Sequence, residues 1–204
     1  MDPTPEAPRP LTLETISQRI HDCTLCPLAQ GRTNVVPGEG NPRAAVLFVG
    51  EGPGEVEDQM GRPFVGPAGQ KLDEVLTSVG IARGDVFITN VVKCRPPENR
   101  IPVRKEVEAC SPYLEAQIAL IQPGLVVTLG NVPTQWLVPD APGITTSHGT
   151  FLDWRGGIQV FPMFHPSYLL RNPSRAKGSP KYLAWIDIQK VRAWLDEHRG
   201  TEVI

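Results

Sequence analysis

The sequence predicts an α/β protein of one domain: a four-stranded parallel sheet flanked by helices on both faces. Two observations carry this. Residues 45–49, 86–90, 125–129 and 158–164 are short runs rich in β-branched and aromatic residues, and they are apolar without alternation, as strands buried on both faces are. Stretches with helical spacing lie between them, and a strand–helix–strand order calls for parallel pairing through crossovers. A chain of 204 residues suits one core, and no internal repeat or linker divides it.

Taken in order, the first ten residues, MDPTPEAPRP, hold four prolines and no apolar stretch. They read as neither a signal peptide nor a packed element, so residues 1–11 are expected to be a disordered lead-in. Leu13, Ile16 and Ile20 mark a helix that runs into the first cysteines. The longest apolar run, 44–49, contains the first strand and is far too short to span a membrane. Ala68, Leu72, Val75, Leu76 and Val79 share one helix face, closed by Gly80. Leu114, Ile118 and Ile121 mark another helix after the second strand, with Ser111-Pro112 at or near its start. After the last two strands, Ser179-Pro180 is an N-cap and N1 pair for a helix carrying Leu183, Ile186, Val191 and Leu195. The folded domain is expected over 12–197, with 198–204 as a tail.

The net charge is −2, which argues against a protein that coats nucleic acid indiscriminately. The distribution says more. Between Trp154 and Ile186 there is no acidic residue, while Arg155, Arg171, Arg175, Lys177 and Lys181 all fall inside. Between Lys93 and Lys105 five positive charges stand against Glu98 alone. Such basic loops on a mildly acidic chain suit a local phosphate-contacting face; either segment alone could be a solvated loop.

In open parallel sheets, ligands bind beyond the carboxyl ends of the strands. Those ends carry Gly50-Glu51-Gly52-Pro53-Gly54, Asn90 with Val91-Val92-Lys93-Cys94, Gly130-Asn131, and His165-Pro166-Ser167. The polar, glycine-rich and histidine-bearing segments therefore converge on one edge, where a site is expected. The glycine loop fails as a dinucleotide fingerprint. Its third glycine is misplaced, Pro53 and Glu55 sit where free N–H groups are needed, and Glu51, Glu55, Glu57 and Asp58 would repel phosphate.

Cys23 and Cys26 form a C-x2-C pair, and Cys94 and Cys110 complete a set that uses every cysteine in the chain. C-x2-C is a tight chelate loop and nothing indicates secretion, so disulfides are not expected. From spacing alone, zinc and an iron–sulfur cluster are equally compatible with four thiolates.

GEGPGEVEDQMGRPFVGPAGQKL (50–72), ITNVVKCRPPENRIP (88–102) and FPMFHPSYLLRNPSRAKGSPK (161–181) resemble the family 4 uracil-DNA glycosylases, as does the cysteine pattern. The resemblance covers residues 12 to 197. It implies a soluble cytoplasmic monomer, nucleoid-associated in use, that hydrolyses the N-glycosidic bond of deoxyuridine in single- or double-stranded DNA. It also implies a [4Fe–4S] cluster on Cys23, Cys26, Cys94 and Cys110. Gly50, Glu51 and Gly52 are similar to the motif bordering uracil and the attacking water, and Phe64 resembles the aromatic that stacks on the base. Asn90 looks like the amide that reads the uracil edge, and His165 like the histidine that bonds O2. Glu57 matches a position thought to crowd C5. Leu169, Leu170 and Arg171 match a loop that enters the duplex, and Arg175 and Lys177 are expected to contact phosphates.

Each implied role is chemically apt. Negative charge grows on departing uracil, so a donor at O2 acts mainly as the bond breaks. An amide offers both donor and acceptor, matching uracil's O4 and N3–H. A carboxylate near the sugar can orient water, with Glu51 favoured and Glu57 second. A related group traps DNA through a histidine in a basic insertion after the second strand. The sequence here reads Arg95-Pro96-Pro97-Glu98-Asn99-Arg100-Ile101-Pro102 without one, so turnover is expected. Two other classes remain: a non-catalytic DNA-binding module, which needs the basic loops but not Glu51, Asn90 and His165 together, and a nucleotide-dependent redox enzyme, which needs the fingerprint this chain lacks.

Overall fold

A computed structural model describes residues 10–198. The expected lead-in (except Pro10 and Leu11) and the tail (except His198) lie outside them. In chain order the elements are α1 (Leu13–His21), α2 (Leu28–Gly31), β1 (Glu39–Gly40), β2 (Val46–Gly50), α3 (Glu55–Met60), α4 (Pro67–Thr77), β3 (Phe87–Asn90) and α5 (Arg104–Ile121). They continue with β4 (Leu125–Leu129), α6 (Asn131–Leu137), α7 (Ile144–Ser147), β5 (Leu152–Asp153), β6 (Gln159–Met163), α8 (Pro166–Arg171) and α9 (Pro180–Glu197).

The sheet is mixed and has six strands in the order β1-β3-β2-β4-β6-β5, which corrects the expected four-stranded parallel sheet. β3, β2, β4 and β6 are parallel, and β1 and β5 pair antiparallel at the two edges. The edge strands escaped the sequence because two residues, Glu39-Gly40 or Leu152-Asp153, carry no period and no apolar run.

Side chains of the parallel strands alternate between two cores. Leu47, Val49, Phe87, Val126 and Val160 join Ile16 and Ile20 of α1 and Leu114, Ile118 and Ile121 of α5. Val46, Phe48, Ile88, Val127, Phe161 and Met163 join Leu72 and Leu76 of α4 and Ile188, Val191 and Trp194 of α9. The helices therefore cover both faces, and this explains why the strand sequences are apolar throughout. Among the described residues no helix is long and apolar enough to cross a membrane.

Two helices differ from expectation. α5 begins at Arg104, ahead of Ser111-Pro112, with Pro112 inside it. Proline removes the N–H that would reach the carbonyl of Glu108; the Ser111 hydroxyl donates to that carbonyl at 3.0 Å, so it is not left bare. α9 buries Ala184, Asp187, Ile188, Val191 and Trp194; of the expected Leu183, Ile186, Val191 and Leu195, Val191 is in the core and Leu183 and Leu195 pack partly buried against it. Two stripes on that helix are rich in apolar residues. The inward one is fixed by polar partners: Trp194 Nε1 donates to Gln159 Oε1 at 3.0 Å, and Asp187 Oδ2 meets His148 Nδ1 at 2.8 Å.

The chain leaves β2 toward β3 on one side and passes to β4 and β6 on the other, so the strand order reverses at β2 and β4. In doubly wound sheets a crevice opens beyond the strand ends at such a point.

Candidate active site

A cleft of about 930 Å³ opens there. It is lined by Glu51 and Gly52 after β2, Asn90 at the end of β3, Gly130 after β4, and His165 after β6, together with Glu57 and Phe64. The structure thus brings the sequence-predicted pocket residues to one place.

Gly50 and Asn90 are register partners on adjacent strands. A Cβ on Gly50 would lie 2.4 Å from Asn90 Oδ1 and 2.5 Å from the Phe64 ring, so only glycine lets both side chains reach this point. Asn90 is 1% exposed. Its Oδ1 is the one buried side-chain oxygen or nitrogen among the described residues with no hydrogen-bond partner. Leaving a buried carbonyl oxygen unmatched costs on the order of 1–3 kcal/mol, the kind of defect found where a ligand supplies the missing donor.

Phe64 is buried at φ 51°, a left-handed conformation uncommon for a bulky residue. Its surroundings enforce it. Glu57 Oε1 accepts from the N–H groups of Val65 (3.0 Å) and Gly66 (2.8 Å), fixing the loop just beyond. Behind the loop, a Cβ on Gly69 would lie 1.9 Å from the Phe64 carbonyl oxygen, so the α4 backbone can sit close only because position 69 is glycine. The Phe64 ring is 5.9 Å from the His165 ring between centroids.

His165 caps α8, its Nδ1 accepting from the Ser167 N–H at 3.1 Å with the Ser167 hydroxyl 2.8 Å away. Since Nδ1 accepts, the neutral ring carries its proton on Nε2, available as a donor. Burial above all, with repulsion from Arg171, lowers the His165 pKa to about 4 against the opposing pull of Glu57. Gly130 (φ 97°) gives this ring room, because a Cβ there would meet His165 Cβ at 3.3 Å.

The three cleft carboxylates differ. Glu55 pairs with Arg95 at 3.7 Å and Glu57 is tied to backbone N–H groups, whereas the half-buried Glu51 side chain has no hydrogen bond among the described residues. Burial raises the Glu51 pKa above its ordinary value, which favours proton acceptance near neutrality. Asp58, next to Glu57, accepts from Thr33 N–H at 3.0 Å and plays a structural part.

The basic segments divide. Lys93 is buried and donates to Thr89 Oγ1, the Asn90 carbonyl and Gln117 Oε1 at 2.6, 2.7 and 2.8 Å, so it is no phosphate contact. Arg100 is engaged by Glu106, and Arg104 by Glu108. By contrast, Arg171, Arg175 and Lys177 are exposed and form no ion pair among the described residues. Leu169, expected at DNA, is instead buried with Phe164 and Ala184. Adjacent helical positions point in different directions, so Leu170 is the exposed member, 42% accessible at the cleft.

All four cysteines line one small cavity with Ile20, Arg32, Lys93 and Tyr113, and none is in a disulfide. Arg32 Nη1 donates to Cys94 Sγ at 3.2 Å, and Lys93 N–H to Cys110 Sγ at 3.3 Å. Burial pushes the Cys110 thiol up to about 11 and raises that of Cys94. Among the described residues no three His, Cys, Asp or Glu side chains gather as a single metal ion requires. The donor set, four thiols in an apolar cavity with N–H groups on two of the sulfurs, fits a thiolate-ligated metal centre.

Sequence reasoning missed Ser167, which sets the tautomer of His165, and Gly69, which seats Phe64. Neither has a signature without the fold.

The profile of the uracil DNA glycosylase superfamily matches residues 37–189. A type-4 uracil-DNA glycosylase of Thermotoga maritima is 49% identical over 90% of this chain and 94% of its own length. One from Pyrobaculum aerophilum is 46% identical over 85% of this chain and 92% of its own. A type-5 uracil-DNA glycosylase of the same organism is 34% identical, covering 69% of each chain.

The His165 environment has a measurable consequence. The unfolded ring binds a proton near 6.5, the folded ring only near 4. Between those values the unfolded state holds more protons, so this group's contribution to stability is lost as pH falls through that window. Imidazole nitrogen NMR is expected to show His165 neutral, with Nδ1 bare, from pH 8 down to pH 5; a midpoint near 6.5 would contradict it.

Proposed function

The chain belongs to the uracil DNA glycosylase superfamily, alongside its type-4 members, and from that premise we propose that it excises uracil from DNA by hydrolysing the N-glycosidic bond, leaving an abasic site. The observation that carries this reading is the unpartnered Asn90 Oδ1 in the same cleft as the His165 ring and the Phe64 face. Uracil offers two groups for Asn90 and one each for His165 and Phe64. Its N3–H supplies the donor Asn90 Oδ1 lacks, its O4 takes the amide N–H, its O2 takes Nε2–H of His165, and its ring stacks on Phe64.

The chemistry then follows from the environments. As the bond to the sugar stretches, charge moves onto O2, and the neutral His165 donor strengthens its bond to that oxygen. His165 is engaged as a donor through Nε2–H and takes no proton from water, but Glu51, unpaired among the described residues and with a raised pKa, can orient and deprotonate it. Glu57 holds the Phe64 loop through Val65 and Gly66. It also borders the cleft, which suits steric exclusion of a C5 methyl. Leu170 enters the stack where the base has left, and Arg171, Arg175 and Lys177 meet phosphates of single- or double-stranded DNA. Such an enzyme works as a monomer in the cytoplasm, at the nucleoid.

Cys23, Cys26, Cys94 and Cys110 hold a [4Fe–4S] cluster in this reading. The Arg32 and Lys93 donors help offset the charge of its sulfurs. When bound, the cluster would cross-link the α1–α2 segment to the loop after β3, keeping Asn90 and its neighbours in place.

Incubation with a uracil-containing oligonucleotide, followed by alkaline cleavage of abasic sites, tests the function. The wild-type protein should yield a break at uracil only. His165→Ala should lower single-turnover excision about a hundredfold, ~3 kcal/mol, with much less effect on DNA binding. Glu51→Gln should also impair the chemistry; a normal Glu51→Gln beside an inert Glu57→Gln would reverse the two carboxylates.

The purified protein should be brown, with iron and sulfide in equal amounts, and Cys94→Ala should lose that absorption. A colourless, fully active protein with stoichiometric zinc would contradict the cluster.

A further inference from the structure

Residues 95–103, the latter part of the segment joining β3 to α5, are held more firmly than a solvated loop requires. Glu98 and Asn99 take left-handed φ values of 55° and 56° in succession, which non-glycine residues keep only where their surroundings enforce it. Arg95 Nε donates to Asn99 Oδ1 at 2.8 Å. Arg100 grips Glu106 with both terminal nitrogens at 2.9 and 2.7 Å, and Glu106 Oε2 also accepts the Val103 N–H at 2.8 Å. The Glu106 side chain is only 3% exposed and the Arg100 side chain 41%, so the clamp is anchored in the protein at its carboxylate end.

Among its exposed polar residues, Glu98, Asn99 and Arg100, the loop presents an apolar tip. Ile101, between the two gripped residues, is 66% exposed and borders the cleft. Its β-branched side chain is stiff and loses little freedom on contact. Ile101 lies on the loop that follows β3 and Leu170 on α8, which follows β6, with β2 and β4 between those strands. Three strand spacings separate those strands, roughly 14 Å. The cleft therefore has an exposed aliphatic tip on each wall, with Phe64, Asn90 and His165 between them.

We propose that Ile101 is a second DNA-contacting side chain, packing on the nucleotide that flanks the extruded uracil, on the wall opposite Leu170. The inference rests on the uracil-excision reading and extends it. One aliphatic tip can fill the space the base vacates. The other braces the neighbouring nucleotide against restacking, and the Glu106 clamp keeps that brace rigid.

The test compares wild type, Ile101→Ala and Ile101→Leu on a duplex with 2-aminopurine beside a single uracil, and on the same duplex without uracil. Ile101 is exposed, so neither variant disturbs the core. Ile101→Ala is expected to weaken binding to the uracil duplex roughly five- to tenfold. It should also blunt the 2-aminopurine rise that reports unstacking, whereas Ile101→Leu should restore both. Unchanged affinity and fluorescence in Ile101→Ala would overturn the proposal, leaving the tip for solvent or a protein partner. Equal weakening on the uracil-free duplex would also overturn it, because the contact would then be independent of extrusion. Failure of wild type to release uracil at all would instead remove the reading beneath it.

Discussion

The structure is organised around one buried amide. A carbonyl oxygen shielded from water and left without a donor is a standing cost in the free protein, and Asn90 Oδ1 is in that state. Several independent features converge on keeping it there. Gly50 has no side chain to cover it, β3 ends at it, and Lys93 reaches back to the Asn90 backbone carbonyl. Phe64 closes the space beside it in a backbone conformation that Glu57 and Gly69 impose. A protein that only needed a stable core would fill this position with an apolar residue.

The same network links the cleft to the cysteine cavity. Lys93 bonds the Asn90 carbonyl through its side chain and Cys110 Sγ through its backbone N–H. Gln117, on the helix that carries Cys110, accepts from Lys93 and donates to the Pro37 carbonyl. On the other side, Arg32 bonds Cys94, and the neighbouring Thr33 bonds Asp58, next to Glu57. The Phe64 loop, Asn90 and the thiol cage therefore share a hydrogen-bonded frame that joins the cage to the cleft.

Most of this was legible because the signals were local. Four continuous apolar runs, each of strand length, read as doubly covered strands, and the parallel topology then places Glu51, Asn90 and His165 at one edge. The residues that failed were those whose roles depend on relations the sequence does not display. Lys93 reads as a basic loop residue; only Thr89, Gln117 and the Asn90 carbonyl make it an interior one. Leu169 and Leu170 are chemically identical, and the orientation of α8 alone decides which is core. The start of α5 was hidden because Ser111 answers the carbonyl that Pro112 strands. The edge strands were too short to carry a period.

The central claim is that Asn90 reads the base, and the isosteric change Asn90→Asp tests it most directly. Excision would be measured on matched oligonucleotides carrying one uracil or one cytosine, with melting confirming the fold. A carboxylate keeps the shape but removes the donor for O4, and unpaired buried groups discriminate strongly. The account predicts a large loss of uracil excision and a narrowed uracil-to-cytosine ratio. Wild-type rate and selectivity in Asn90→Asp would contradict it, and would assign base reading to the backbone of residues 50–52.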